Sequence, residues 1–333
     1  MTRTMAGAPP PETLLGILGG VGPAAGLVLH QAILRHTQND GTDQGHLDVV
    51  HVSRSADIAA RPTYLHQHAD DAITIENPAY GMARSLKMLI HAAKSRQAKL
   101  VVGVPCNTFH APPIWDTFVA AIDQVDPSAH VVLLHMLQET VRMVAEIAPA
   151  ARVVGVMSTT GSRDARIFHN LLEPLGYTVV QVPASLQEEL NDTIYNTEWG
   201  IKSTAPTIHP RAVANFEGYA RLLARDYGAQ VAILGCTEIP MALPGSEVDG
   251  MVLVDPMVAL ARAMIREVDA AKLVPLDMRL LPTMMSRVGK PKRTLSVRSD
   301  ENDTEVLDEF DSDDDDEDGS ALVDVDALRF CFY

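Results

Sequence analysis

Cysteine is scarce in this 333-residue chain: three residues, with two tryptophans and 5% aromatics overall. So few thiols, and an odd number of them, exclude a disulfide framework and point to a reducing compartment, the cytoplasm. No apolar run approaches the roughly 20 residues a membrane-spanning helix needs. Met1 to Glu12 lacks the apolar segment of a secretory signal and reads as a short disordered leader. Basic residues are also few, 27 against 43 acidic ones, for a formal net charge of −16. No basic patch for nucleic acid is present in the body. The negative charge is concentrated: from Asp300 to Tyr333 the acids are opposed by Arg329 alone, and Asp313 to Asp316 are unbroken. Such a stretch repels itself and forms no core. We read 274–333 as linker and disordered acidic tail, a contact for some basic partner at most.

The rest of the chain is an ordinary globular composition, with 47% apolar residues in the whole. Short apolar runs at 14–20, 48–53, 100–104, 131–134, 153–157, 178–182, 230–234 and 252–254 read as strands. Between them, helices are predicted over 24–37, 79–96, 137–147, 162–173, 210–227 and 256–268, with Pro23 suited to a first turn. Strands alternating with helices indicate an α/β fold with parallel sheets. The two halves echo each other. Gly16 and Gly22 bracket one strand and turn, and Gly155 and Gly161 bracket another of the same length. Each half continues to an apolar strand with a cysteine just past its end. This pattern predicts two pseudo-symmetric lobes, each a parallel sheet flanked by helices: 13–136 plus 256–273 with Cys106, and 137–255 with Cys236.

In parallel α/β sheets ligands bind beyond the carboxyl ends of strands. Cys106 and Cys236 both fall there, one per lobe. Each is followed by small polar residues, Asn107-Thr108 and Thr237-Glu238, able to hydrogen-bond an anion beside the thiol. Inverting an amino-acid α-carbon requires a base on one face and an acid on the other. A thiol titrates near 8.5 and shifts with its surroundings, so one thiolate and one thiol can coexist near neutral pH. No pyridoxal-lysine motif is evident, so carboxylate-directed donors must stabilise the carbanion.

The segments GILGGVGPAAG (16–26), VPCNTFHA (104–111) and LGCTEIP (234–240) resemble the signature segments of the aspartate/glutamate racemase family. TDQGHLDVVHVS (42–53), IAARPTY (58–64), STTGS (158–162), WGIK (199–202) and VDPM (254–257) follow the same order, so the resemblance covers about 14–268. It implies two α/β lobes with the site in the cleft between them, no cofactor, no metal, a small dicarboxylic amino-acid substrate and a homodimer. By position it implies that Cys106 and Cys236 are the two acid/bases. It assigns Arg61 to a substrate carboxylate and Lys202 to a second cationic contact. Asn107, Thr108, Thr159, Thr160 and Thr237 correspond to cleft residues that bind amino and carboxylate groups. Ala59-Ala60, Val21 and Phe109 depart from the family's usual residues, and Glu238 receives no chemical step.

Other readings stay open at this point. The glycine turn at 20–25 fits the loose dinucleotide fingerprint, but the next strand ends in His51-Val52-Ser53 with no acid for a ribose. A hydantoin racemase or maleate isomerase on the same scaffold, or a non-catalytic binder of acidic metabolites, would share the two thiols. His66, His68 and Asp70 read as a solvated helix face rather than metal ligands, and His110 as a packing residue.

Overall fold

All eight parallel strands of the two main sheets are short, and most of their residues are buried, as strands covered on both faces must be. In the computed structural model they are β1 (Thr13–Gly19), β2 (Val49–Ser53), β3 (Lys99–Gly103), β4 (Val131–Leu134), β5 (Val153–Met157), β6 (Thr178–Val180), β8 (Val231–Leu234) and β10 (Met251–Val254). Among the described residues there are also the two-residue strands β7 (Thr207–Ile208), β9 (Glu247–Val248) and β11 (Arg287–Val288). The structure describes residues 12–70, 73–125, 130–276 and 287–288, all within one unit, Met1–Pro291. The expected leader at 1–12, apart from Glu12, and the acidic run at 300–318 lie outside the described residues.

The first sheet runs β2-β1-β3-β4 and the second β6-β5-β8-β10-β9, with only β9 antiparallel to its neighbour. In each, the chain leaves the central strand to one side and then returns to the other. The strand order therefore switches direction between β1 and β3, and again between β5 and β8. Crevices at such switch points are where open α/β sheets bind ligands.

Register makes the correspondence concrete. Gly16 of β1 pairs with Val102 of β3, and Gly155 of β5 pairs with Ala232 of β8. Cys106 and Cys236 each lie four residues beyond those partners. The two thiols thus occupy equivalent places in two equivalent sheets.

The flanking helices start where their sequences supply caps. Asn77 accepts from Ala79 N ahead of the Pro78–Ser95 helix, and Asp255 accepts from Met257 N ahead of Pro256–Asp269. Both helices carry proline in the first turn, where no N–H is required. The Pro256–Asp269 helix follows the last strands of the second sheet yet packs with Leu15, Ile17, Leu29 and Val101 of the first sheet's side. Val274 N donates to the His36 carbonyl, and the Arg262 guanidinium donates to the Val274 carbonyl, so the chain stays docked at least to there.

The helix expected over 162–173 is instead three pieces, Thr160–Asp164, His169–Leu172 and a 3₁₀ turn at Glu173–Leu175. Arg166 takes a left-handed φ of 49° and interrupts it. The helix face read at His66 and His68 belongs to a helix at Arg61–Ala69, while those at Pro112–Val125 and Ala184–Tyr195 were not anticipated from the sequence.

Candidate active site

Past β3 the chain runs through Val104-Pro105 to Cys106 in extended backbone, then tightens into a 3₁₀ turn over Asn107–His110. His110 fixes this corner. Met136 N–H donates to its Nε2 at 3.2 Å, so Nδ1 carries the proton and donates to the Cys106 carbonyl at 2.8 Å. Its ring stacks on Trp115, with centroids 4.5 Å apart. Complete burial holds its pKa well below that of a free imidazole, with neighbouring His135 adding to the effect. A neutral, doubly bonded, fully packed imidazole is a positioning group, as the sequence reading held.

The second thiol follows β8 directly. Gly235 N donates to Met157 O at 2.7 Å, drawing the strand end against β5. A Cβ at Gly235 would lie 2.9 Å from Met157 O and from Ser158 Cβ, so the close approach requires glycine here. Cys236 comes next and is 8% exposed, as is Cys106.

Both cysteines line one cavity. Arg61, Asn107, Thr108, Thr159, Lys202 and Thr237 line it with them. Of the nine residues singled out from the sequence, only Thr160 lies elsewhere, on the wall of a neighbouring cavity. Its amide donates to Asn191 Oδ1 at 3.1 Å and its hydroxyl accepts from Gln187. The glycine turn also reaches the cavity through Val21. Gly20 and Gly22 hold positive φ of 85° and 107°, and a Cβ on Gly20 would meet Arg54 N at 2.8 Å.

Polar groups cross from one sheet's loops to the other's. Thr108 and Ser162 share a hydrogen bond of 3.0 Å, and the Thr159 hydroxyl donates to Ser162 Oγ at 3.1 Å. That bridge joins the two switch-point loops beside the thiols. Two buried polar atoms of the cavity residues have no hydrogen-bond partner among the described residues: Arg61 Nε, a donor, and Asn107 Oδ1, an acceptor. Buried polar atoms are seldom left unpaired. A donor and an acceptor left open together suit a ligand carrying both a carboxylate and an ammonium.

The cations differ in their commitments. Lys202, on the short Ile201–Thr204 helix, is ion-paired with Glu238. Burial alone would depress the lysine pKa, but its surroundings, with the Glu238 carboxylate bonded to it, outweigh that and keep the ammonium charged. Glu238 Oε2 also accepts from Thr237 Oγ1 at 2.7 Å and from Cys236 Sγ at 3.1 Å. Burial would raise the Glu238 pKa, yet Lys202 and these donors hold it lowered and ionised. The Cys236 thiol is pushed up, first by burial and then by the Glu238 charge, with Lys202 opposing. Tyr195 closes one wall, its ring 5.8 Å from Lys202 Nζ. Burial, then the sulfur of Cys236, pushes its phenol up to about 12, so it stays protonated.

Glu238 and Tyr195 are the residues that sequence reasoning left without a role. The Cys-Thr-Glu string was visible, but its link to a lysine 36 residues away was not.

The sequence model of the Asp/Glu/Hydantoin racemase family matches residues 18–264. Among solved structures, the chain is similar to Picrophilus torridus aspartate racemase, with a TM-score of 0.60 and 19% identity over 81% of this chain and 99% of that one. It is likewise similar to an aspartate racemase homologue from Pyrococcus horikoshii OT3, with a TM-score of 0.53 and 19% identity over 77% of this chain and 99% of the other. At such identities the structures bear on the fold, and they agree with the two parallel sheets described above. The match spans both thiol segments, the Arg61 segment and the glycine turn, and with it the chain belongs to the Asp/Glu/hydantoin racemase family, as an isomerase of the amino-acid racemase kind.

Proposed function

We propose that this chain racemises an acidic amino acid, aspartate or glutamate, by proton transfer between Cys106 and Cys236. One sulfur, as thiolate, takes the α-hydrogen as a proton. The electron pair of the broken C–H bond moves into the α-carboxylate, giving an ene-diolate. The opposite thiol then delivers its proton to the other face, and the pair returns to carbon. Each turnover leaves the two sulfurs with exchanged protonation, ready for the product enantiomer.

The other residues divide the binding. Arg61 forks onto the α-carboxylate, where its positive charge is worth most as negative charge builds. Asn107 Oδ1 accepts from the substrate ammonium, and Thr108, Thr159 and Thr237 line the cavity around it. Lys202 faces the side-chain carboxylate from its pair with Glu238, and Thr160 backs the wall. The chemistry runs on side chains alone and calls for no cofactor or metal.

The observation that carries this reading is that two thiols, remote in sequence, line one small cavity together with the open Arg61 Nε donor. We further propose a homodimer working in the cytoplasm. No helix among the described residues is long and apolar enough to cross a membrane. Light scattering reads the assembly state directly.

The test is incubation with each enantiomer of aspartate and glutamate in heavy water, without added cofactor. Chiral chromatography reads inversion and NMR reads deuterium at the α-carbon. Inversion accompanied by solvent deuterium is expected. Protein with both thiols free that neither inverts nor labels any of the four would overturn the reading. A parallel panel of hydantoins and maleate separates the isomerases that share this scaffold.

A further inference from the structure

We propose that the same site also accepts amino acids with a long, cation-ended side chain, whose far end occupies a second cavity adjoining the one that the thiols line. The inference rests on the racemase reading above and extends its substrate class.

The second cavity has a volume of about 540 Å³. It shares Pro62, Thr159 and Tyr195 with the cavity that holds Cys106 and Cys236. The two cavities therefore adjoin at these three residues, and the side chain of a substrate held at the thiols is directed past Tyr195 toward the second one. A volume of this size is that of a site for a much larger molecule than aspartate.

Its walls state what belongs there. Leu65, Ala69, Pro112 and Pro113 give an apolar passage that suits a methylene stem. Its charged lining is acidic: Asp164 and Asp70, the latter paired with His66 at 3.2 Å. No lysine or arginine lines it among the described residues. Asp164 has no ion pair among the described residues. A carboxylate in this cavity would meet two like charges, whereas an ammonium or guanidinium would meet opposite ones.

The thiol cavity itself does not demand a second carboxylate. Glu238 already balances Lys202, which leaves Arg61 as the cation of that cavity without a carboxylate partner among the described residues. One α-carboxylate satisfies Arg61. The side chain is then free to be acidic and short, displacing Glu238 from Lys202, or basic and long, running to Asp164.

The test uses the full chain in heavy water with L-aspartate, L-lysine, L-arginine and L-norleucine, reading α-deuterium and inversion. Two variants accompany it. Ala69→Trp narrows the second cavity at a small residue of its wall, and Asp164→Asn removes its unpaired charge. Lysine and arginine are expected to exchange in the wild type. The lysine-to-aspartate ratio of kcat/KM should fall roughly fivefold in Asp164→Asn, the scale of one partly exposed ion pair, and further in Ala69→Trp. Exchange of aspartate with none of the longer substrates would overturn the proposal and leave the acidic reading standing. Norleucine exchanging as fast as lysine, with the ratio unmoved by Asp164→Asn, would overturn the assignment of a cationic end. Exchange of nothing on the panel would remove both.

Discussion

Glu238 accepts the Cys236 thiol at 3.1 Å on one carboxylate oxygen while its other oxygen is ion-paired with Lys202. Cys236 is thereby held as a thiol, since burial and the adjacent carboxylate both disfavour its thiolate. Glu238→Gln should lower the Cys236 pKa, because the carboxylate is gone and the Lys202 charge is left uncompensated nearby. A fall of one unit gives about tenfold more thiolate well below the pKa. Alkylation of Cys236 by iodoacetamide at neutral pH, followed by peptide mass spectrometry, should accelerate by about that factor. Slower or unchanged alkylation would show that Glu238 does not set the thiol.

Each thiol should be separately indispensable for inversion. General acid or base catalysis by a placed group is worth on the order of 10² to 10⁴ in rate, so Cys106→Ser and Cys236→Ser should each lose racemisation by about three orders of magnitude. The remaining thiol can still exchange the α-hydrogen of one enantiomer with solvent. Deuterium uptake into opposite enantiomers by the two variants is the expected pattern. Uptake into the same enantiomer by both would rule out the two-faced arrangement.

Arg61 offers a buried Nε with no partner among the described residues. A guanidinium fork matches a carboxylate bidentately and an ammonium does not. Arg61→Lys should therefore retain the charge yet lose roughly ten- to a hundredfold in kcat/KM, by about 1.5–3 kcal/mol for a charge-assisted hydrogen bond. Arg61→Ala should lose more. Steady-state kinetics with aspartate give the comparison, and equal kcat/KM for wild type and Arg61→Lys would remove Arg61 from the carboxylate site.

The fold was largely legible because its strands are buried on both faces and stand out as apolar runs. Gly16 and Gly155, read as an echo between halves, are register equivalents in the two sheets. The Ala184–Tyr195 helix was missed for a physical reason: its buried residues are Gln187, Leu190, Thr193 and Ile194, so half of the inward stripe is polar. Gln187 is buried because it donates to Ser158 O and accepts from Arg163, partners that no local pattern reveals. With that helix went Tyr195. The Pro112–Val125 helix opens on two prolines, which a first turn accommodates. The thiols and Arg61 were found through short strings that travel together. The pairing of Lys202 with Glu238 depends on how two separate loops meet, and it changes Lys202 from a free cation into half of a neutral pair.

Acid should destabilise the chain well before its carboxylates titrate. Burial lowers the pKa of His30, His51, His110, His135 and His169 alike. For His135 the fall is from 6.5 to about 4. In the unfolded chain these rings bind protons near pH 6.5, while in the folded chain they resist until lower pH. The unfolded state thus binds more protons in that window, and stability falls as pH drops. The contribution is complete above pH 6.5 and is lost progressively between about 6.5 and 4, where His135 finally titrates in place. Its shift corresponds to about 3 kcal/mol at most. The fully buried His110, held between Cys106 O and Met136 N, acts with the same sign. Urea midpoints measured from pH 7.5 down to 4.5 should fall steadily below 6.5, and His135→Gln should flatten that slope. A midpoint that stays level, or rises, across this range would contradict the burial of these rings as neutral groups.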